Sequence, residues 1–145
     1  MSGLSPHLVV SDAQRAARWY QDVLGADEVG RIPLPGGKVL AIELRIGDTE
    51  VHVADEYPDQ GIVSPRTLGG TYLALQLPVD DPDEVYRRAI DAGATEFHPL
   101  ADTFWGDRAG QFIDPFGHRW GVYKHVRDVP ADEVADAAAK ALGLA

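Results

Sequence analysis

The same punctuation occurs twice in this chain, 68 residues apart, and it limits the folds available more than any single residue does. Val10-Ser11-Asp12 leads into a helix-like run that stops at Gly25-Ala26-Asp27-Glu28-Val29. Val79-Asp80 leads into another that stops at Gly93-Ala94-Thr95-Glu96-Phe97. Asp12 to Gly25 and Asp80 to Gly93 are both thirteen-residue steps. Agreement of strand end, helix start and helix stop at one offset predicts an internal duplication. The chain then reads as one domain made of two copies of a small motif, with function expected where the copies meet.

The local signals fill in that motif. His7 to Val10 is a short apolar strand, and Ser11-Asp12 supplies a helix cap. Ala13, Ala16, Ala17, Tyr20, Val23 and Leu24 recur at helical spacing, and Gly25 is placed to end the helix. Strands are expected at Val29–Leu34, Val39–Ile46 and Thr49–Ala54, the last two joined by a Gly47-Asp48 hairpin turn. This is a βαβββ unit. The second copy predicts a strand over Thr71–Val79 and a helix over Asp80–Ala92. Further strands are expected at Thr95–Phe97, around Ala109–Ile113 and at His118–His125. Module one covers about 4–56, a linker about 57–70, module two about 71–126, and a terminal helix about 130–142. The apolar stripe of that helix (Val134, Ala135, Ala138, Ala141, Leu142) is expected to pack on the sheet or on a second subunit.

Composition narrows the function classes. There is no cysteine, so thiolate chemistry, thiolate metal sites and disulfides are excluded. The formal net charge of −10 argues against nucleic acid as a partner, since phosphate binding needs a basic surface, and is compatible with a cationic small ligand. No apolar run approaches spanning length, so no membrane role is expected and a cytoplasmic protein is the default.

A doubled βαβββ unit of this size resembles the vicinal oxygen chelate superfamily, which includes glyoxalase I, extradiol dioxygenases and bleomycin-resistance proteins, and within it the PhnB-like group. The residues that carry the resemblance are Pro6–Val10, Trp19–Ala26, Glu43–Asp48, Ser64–Gly70, Trp105–Arg108 and Asp114–His118, in that order along the chain. It implies an α+β fold of two paired βαβββ modules forming a curved mixed sheet around an open cavity, usually in a homodimer. It does not fix a reaction, because the superfamily hosts several chemistries and some pure binders.

Catalytic members chelate a divalent metal with His, Glu or Gln from equivalent strands of both modules. Counted from the shared landmarks, those positions fall at or near Ser5, His52, Ala74 and Gly121. Of these, only His52 is a competent ligand. Strand alternation places His7, Gln76 and Tyr123 two residues beyond Ser5, Ala74 and Gly121 on the same face. A displaced metal set of His7, His52, Gln76 and Glu50 is therefore the alternative to no cofactor at all.

Other residues divide between ligand contact and structure. Trp105 and Arg108 are expected beside the cavity mouth, where an indole and a guanidinium can clamp a flat ligand; otherwise Arg108 pairs with Asp102 or Asp107. Trp120 points away from the cavity, Trp19 and Tyr20 are core, Asp114 and His118 brace their turn, and Asp80, Asp81, Asp83 and Glu84 mark a helix start. Asp55, Glu56 and Asp59 read as solvated loop charge. The ligand-binding set is then His7, His52, Gln76, Trp105, Arg108 and Tyr123, with no catalytic residue assigned. The expected function is small-molecule binding of the bleomycin-resistance type, sequestering a cationic aromatic antibiotic without metal. The alternatives are a metal-dependent lyase, isomerase or dioxygenase, and a ligand-binding module with no resistance role.

Overall fold

The computed structural model describes residues 3–144. The first half runs β1 (His7–Val10), α1 (Ala13–Leu24), β2 (Asp27–Pro33), β3 (Val39–Ile46) and β4 (Thr49–Asp55). The second runs β5 (Ala74–Pro78), α3 (Pro82–Asp91), β6 (Thr95–Asp102), β7 (Asp107–Ile113) and β8 (Arg119–His125). Between them lies the short helix α2 (Pro65–Leu68), and α4 (Ala131–Ala141) follows. The strands form two four-stranded sheets of identical plan, β1-β4-β3-β2 and β5-β8-β7-β6. In each, the first and last strands of the unit are parallel and the other neighbours antiparallel. The doubled α+β architecture expected from the sequence is the one observed.

Helix α1 starts where the Asp12 side chain accepts from Arg15 N, and stops at Gly25, whose φ of 70° is left-handed. Its face of Ala13, Ala16, Tyr20 and Val23 is buried in one core with Ile42, Leu44 and Val53. Helix α3 corrects the repeat by one residue. Its cap is Asp81, which accepts from Glu84 N at 3.2 Å, because Pro82 occupies the first helical position and cannot itself be preceded by another turn. The offset at the helix start is thus 69, and the parallel strand pairs keep it: His7 lies opposite His52, and Gln76 opposite Gly121.

Two strands depart from expectation. β5 begins at Ala74 rather than Thr71. β6 runs on to Asp102 although Pro99 lies inside it, because β6 is an edge strand and its register to β7 slips between Glu96 and His98 and again between His98 and Ala101. Of the charges read as solvated loop residues, Asp59 is exposed as expected, but Asp55 and Glu56 are not. Asp55 is buried and accepts from Ala13 N (2.8 Å) and Val39 N (3.0 Å), so it caps α1 from the end of β4. Glu56 accepts from Ser64 N at 2.7 Å and from the Thr67 hydroxyl, pinning α2. Those hydrogen bonds hold its carboxyl below the usual range.

The halves are joined through side chains on their helix-covered faces. Asp114 is buried and accepts from Tyr20 OH (2.5 Å), Trp120 Nε1 (2.9 Å), Phe116 N (2.8 Å) and His118 N (3.0 Å). It caps its turn, as read from the sequence, but it also ties α1 to β8. Trp19 Nε1 donates to Ala92 O at 2.9 Å, and Arg88 donates to Val23 O at 2.9 Å. His118 braces its turn through its backbone, as read from the sequence, and reaches across too: its Nε2 lies 2.9 Å from Val9 O and donates to β1.

Tyr86 of α3 packs edge-on against Phe112 and lies near Glu96, His98 O and Gln111 O. Burial, then the charge of Glu96, pushes its phenol up to about 12. An unfolded tyrosine ionises near about pH 10, so this contribution to stability is complete below that pH and is lost as pH climbs through about 12. Burial raises Tyr20 in the same direction. The urea unfolding midpoint is therefore expected to stay level up to about pH 10 and to fall above it. Tyr86→Phe should show a shallower fall, and an equally steep one would exclude Tyr86 as the source.

Helix α4 makes no substantial packing contact with either sheet, and none of its residues is buried. The first of the two expectations for its apolar stripe is thereby removed. Among the described residues no helix is long and apolar enough to cross a membrane.

Candidate functional site

Alternation sorts each sheet into a helix-covered and an open face. In the first sheet Leu8, Val10, Leu44, Val51 and Val53 are buried beneath α1, which leaves His7, Glu43, Glu50 and His52 on the open side. His52 Nε2 lies 2.9 Å from Glu50 Oε1. Glu43 sits directly across from His52 on β3, and one ligand atom from each of Glu43, Glu50 and His52 falls within 4.8 Å of the others. All three are half-buried. Gly30 on β2 makes room for this group: a Cβ there would come 3.1 Å from Glu43 Oε2. Glu43 was missing from the sequence-derived set.

The second sheet carries Gln76, Gln111, Arg119, Gly121 and Tyr123 on its open side. The register makes these the counterparts of the first-sheet residues. Gln111 faces Gly121 as Glu43 faces His52, and Arg119 precedes Gly121 as Glu50 precedes His52. One copy of the motif is thus acidic with a histidine, and the other is amidic and basic. The Arg119 guanidinium lies over the Phe97 ring, 4.7 Å from its centroid. Among the described residues the buried atoms Gln111 Oε1 and Arg119 Nε have no hydrogen-bond partner.

Two crevices flank α2. One, of about 220 Å³, is lined by His7, Val9, His118 and Tyr72 among others. The other, of about 390 Å³, is lined by Arg66, Phe97, Ile113 and Arg119. They share Pro65, Gly70 and Thr71 as a common wall. A third cleft of about 500 Å³ opens between the Gly47-Asp48 hairpin and β5, with Ile46, Leu75, Leu77 and Trp120 in its walls and Gln76 at its edge.

Trp105 and Arg108 do not reach these surfaces. Arg108 faces the helix side of β7, where Asp83 of α3 takes Nε and Nη2 (3.0 and 2.8 Å) and Asp102 takes Nη1 (3.3 Å). Trp105 is exposed at the β6–β7 turn and donates to Asp107 at 3.1 Å. The site residues that the structure brings together are His52 with Glu50 and Glu43, with His7 beside them on β1; Gln76 and Tyr123 lie on the other sheet.

Residues 5–122 match the family model described as the glyoxalase/bleomycin resistance protein/dioxygenase superfamily. The chain belongs to this superfamily. The superfamily relatives include uncharacterized protein Mb0911c of Mycobacterium bovis, 43% identical over 134 residues, which covers 90% of this chain and 88% of that one. Among solved structures, TioX from Micromonospora sp. ML1 is 26% identical with a TM-score of 0.65, covering 87% of this chain and 100% of its own. TnmS3, an antibiotic binding protein from Streptomyces sp. CB03234, shares the fold at 24% identity and a TM-score of 0.64, over 86% of this chain and 97% of that one.

The superfamily's metal scheme, with donors from both halves, does not fit these residues. Gly121 and Ala74 offer no donor atom, and Ser5 precedes β1, where the strand partner of His52 is His7. The three convergent donors, Glu43, Glu50 and His52, all come from one sheet.

Proposed function

We propose that the protein binds a cationic, aromatic-bearing small molecule on the open faces of its sheets and sequesters it without metal chemistry. The observation that supports this most is the pairing of Glu43 and Glu50 around His52. Both carboxylates are half withdrawn from water, and among the described residues neither is bridged to a lysine or arginine. A charge in such a partly desolvated place attracts an incoming cation more strongly than a fully hydrated one does. Tyr72 and Phe97, exposed at 92% and 42%, offer ring faces beside the adjoining crevices. The net charge of −10 favours approach of a cation from a distance. The description of TnmS3 as antibiotic binding agrees with this reading. A second copy laid over the open faces completes the groove, covering apolar side chains such as Ile32 that one chain leaves exposed.

Calorimetric titration with bleomycin is the test. Saturable binding is expected, and Glu43→Gln should weaken it by about tenfold, or about 1.4 kcal/mol, while Asp22→Asn on the exposed side of α1 leaves it unchanged. Absence of heat together with an unmoved melting temperature would end the sequestration reading and leave a ligand-binding module without a resistance role.

A second reading is favoured by one measurement, the 4.8 Å grouping of Glu43, Glu50 and His52. It makes the protein a metal-dependent lyase, isomerase or dioxygenase. Elemental analysis of protein purified without chelator, with a melting screen against Ni, Zn, Mn and Fe salts, separates the two. Stoichiometric metal that is lost in Glu43→Gln selects the enzyme.

A further inference from the structure

The crevice beside α2 concentrates positive charge in a strongly acidic chain. Arg66 of α2 and Arg119 of β8 line the same space of about 390 Å³, and no aspartate or glutamate lines it with them. Among the described residues neither arginine forms a salt bridge to a carboxylate. Arg66 spends its Nε on Pro115 O at 2.7 Å, which fixes the side chain and leaves its terminal nitrogens without a protein acceptor. The Arg119 guanidinium carbon lies 4.7 Å from the Phe97 ring centroid, and Nη2 makes one long bond of 3.3 Å to Tyr72 O. Among the described residues its buried Nε has no acceptor. A partly buried guanidinium is normally matched by a carboxylate or a full set of carbonyls, so the missing counter-charge is the unusual feature.

The walls suit a ligand of definite shape. Gly69 and Gly70 present no side chain there, and a Cβ at either would meet nothing within 4 Å, so the crevice stays open. Phe97 supplies a ring face on one side, and two guanidinium groups approach from α2 and β8. Planar guanidinium donors suit carboxylate and phosphate oxygens in forked geometry better than they suit neutral groups.

We infer that this crevice is a subsite for an oxyanionic group, a carboxylate or a phosphate, carried by a small molecule. It goes beyond the cation reading and does not depend on the Glu43–Glu50–His52 cluster that carries it, because the charged residues and the ligand charge are different, although Phe97 borders both. Taken with the acidic first-sheet cluster, it assigns opposite polarity to equivalent strands of the two copies. A ligand long enough to follow the wall shared by the two crevices would carry its anionic end at Arg119.

Two simple anions test the site without any drug present. Sodium benzoate offers a carboxylate on a flat ring, and inorganic phosphate offers a tetrahedral oxyanion alone. Proton–nitrogen correlation NMR follows the Arg119 Nε–Hε signal during each titration at constant ionic strength. A saturable shift with benzoate assigns a ring-bearing carboxylate, and one with phosphate assigns the bare oxyanion; either supports the site. Arg66→Gln, an exposed substitution outside the core, should weaken binding about tenfold, as should Arg119→Gln where it folds, read then from the backbone signals of Gly70 and Thr71. Arg18→Gln, on the far side of α1, should bind as the parent does. No saturable shift with either anion, or binding undiminished in Arg66→Gln and Arg119→Gln alike, overturns the inference. Glu43→Gln separates the two sites: it should retain the benzoate or phosphate response while its binding of bleomycin weakens about tenfold.

Discussion

Asp114→Ala is expected to lower the free energy of unfolding by about 4 kcal/mol, read from the urea midpoint against the parent chain. The reasoning starts from what the carboxylate satisfies. Four donors converge on it: the Tyr20 hydroxyl, the Trp120 indole and the amides of Phe116 and His118. Tyr20 is fully buried and Trp120 nearly so, and each buried donor left without an acceptor costs on the order of 1–3 kcal/mol. Some of that is recovered by water entering the space of the lost side chain, which is why the total falls short of four separate losses. Asp114→Asn sharpens the test. One amide oxygen can still serve the two backbone groups, but the new NH₂ meets the Trp120 N–H as donor against donor, so roughly half the loss is expected. A loss below about 1 kcal/mol for the alanine variant would mean that Asp114 is not the tie between the halves.

Gly110→Val should cost about 3 kcal/mol, near the upper end for overpacking a core. Gly110 lies on the helix side of β7 opposite Val122, and a Cβ there would come 2.9 Å from Leu100 Cα and 3.0 Å from Tyr86 Cε2. Leu100 occupies that space because the β6 register slips between His98 and Ala101, beside Pro99. The slip and the glycine therefore accommodate one another. Backbone cannot yield as a side-chain end can, so the sheet must open or Tyr86 must leave Phe112. Ala109→Val, one residue away on the open face, is expected to cost under about 1 kcal/mol by the same urea measurement. Equal costs at the two positions would show that Leu100 gives way freely.

The sequence disclosed the doubled plan because caps and periodicity are local: Asp12, Gly25 and the apolar face of α1 are all read within one turn of where they act. β6 was truncated in that reading because Pro99 is a strong breaker, and only its edge position lets a missing N–H pass. Asp55 looked like loop charge because its partners, Ala13 and Val39, are far along the chain. Asp114 looked like a turn residue for the same reason, since Tyr20 lies 94 positions away. Within the candidate site, His52 was reached by counting from the landmarks of the resemblance and Glu50 as its neighbour, whereas Glu43 was overlooked. A signal for it did exist. A two-residue Gly47-Asp48 turn sets Ile46 against Thr49, and counting back pair by pair puts Glu43 opposite His52. Arg108 makes the pairing with Asp102 that the sequence offered as one of two expectations, and adds Asp83, a partner on another element that sequence order does not bring near it.

The cross-ties through Asp114, Trp19, Arg88 and His118 have a consequence for the covalent join between the copies. Recognition between them resides in side chains, and within the polypeptide running from β4 to β5 the helix α2 is itself pinned by Glu56 and by Arg66 on Pro115 O, so only the remainder of that segment acts as a tether. Its exposed tip at Pro58-Asp59-Gln60 touches neither sheet core, and each doubling of a flexible tether there costs only about 0.6 kcal/mol in closure entropy. The duplicated motif is in effect a dimer whose two subunits share one chain. Its geometry is set at a shared seam, and only the exposed tip of the thread that joins the two is free to vary in length.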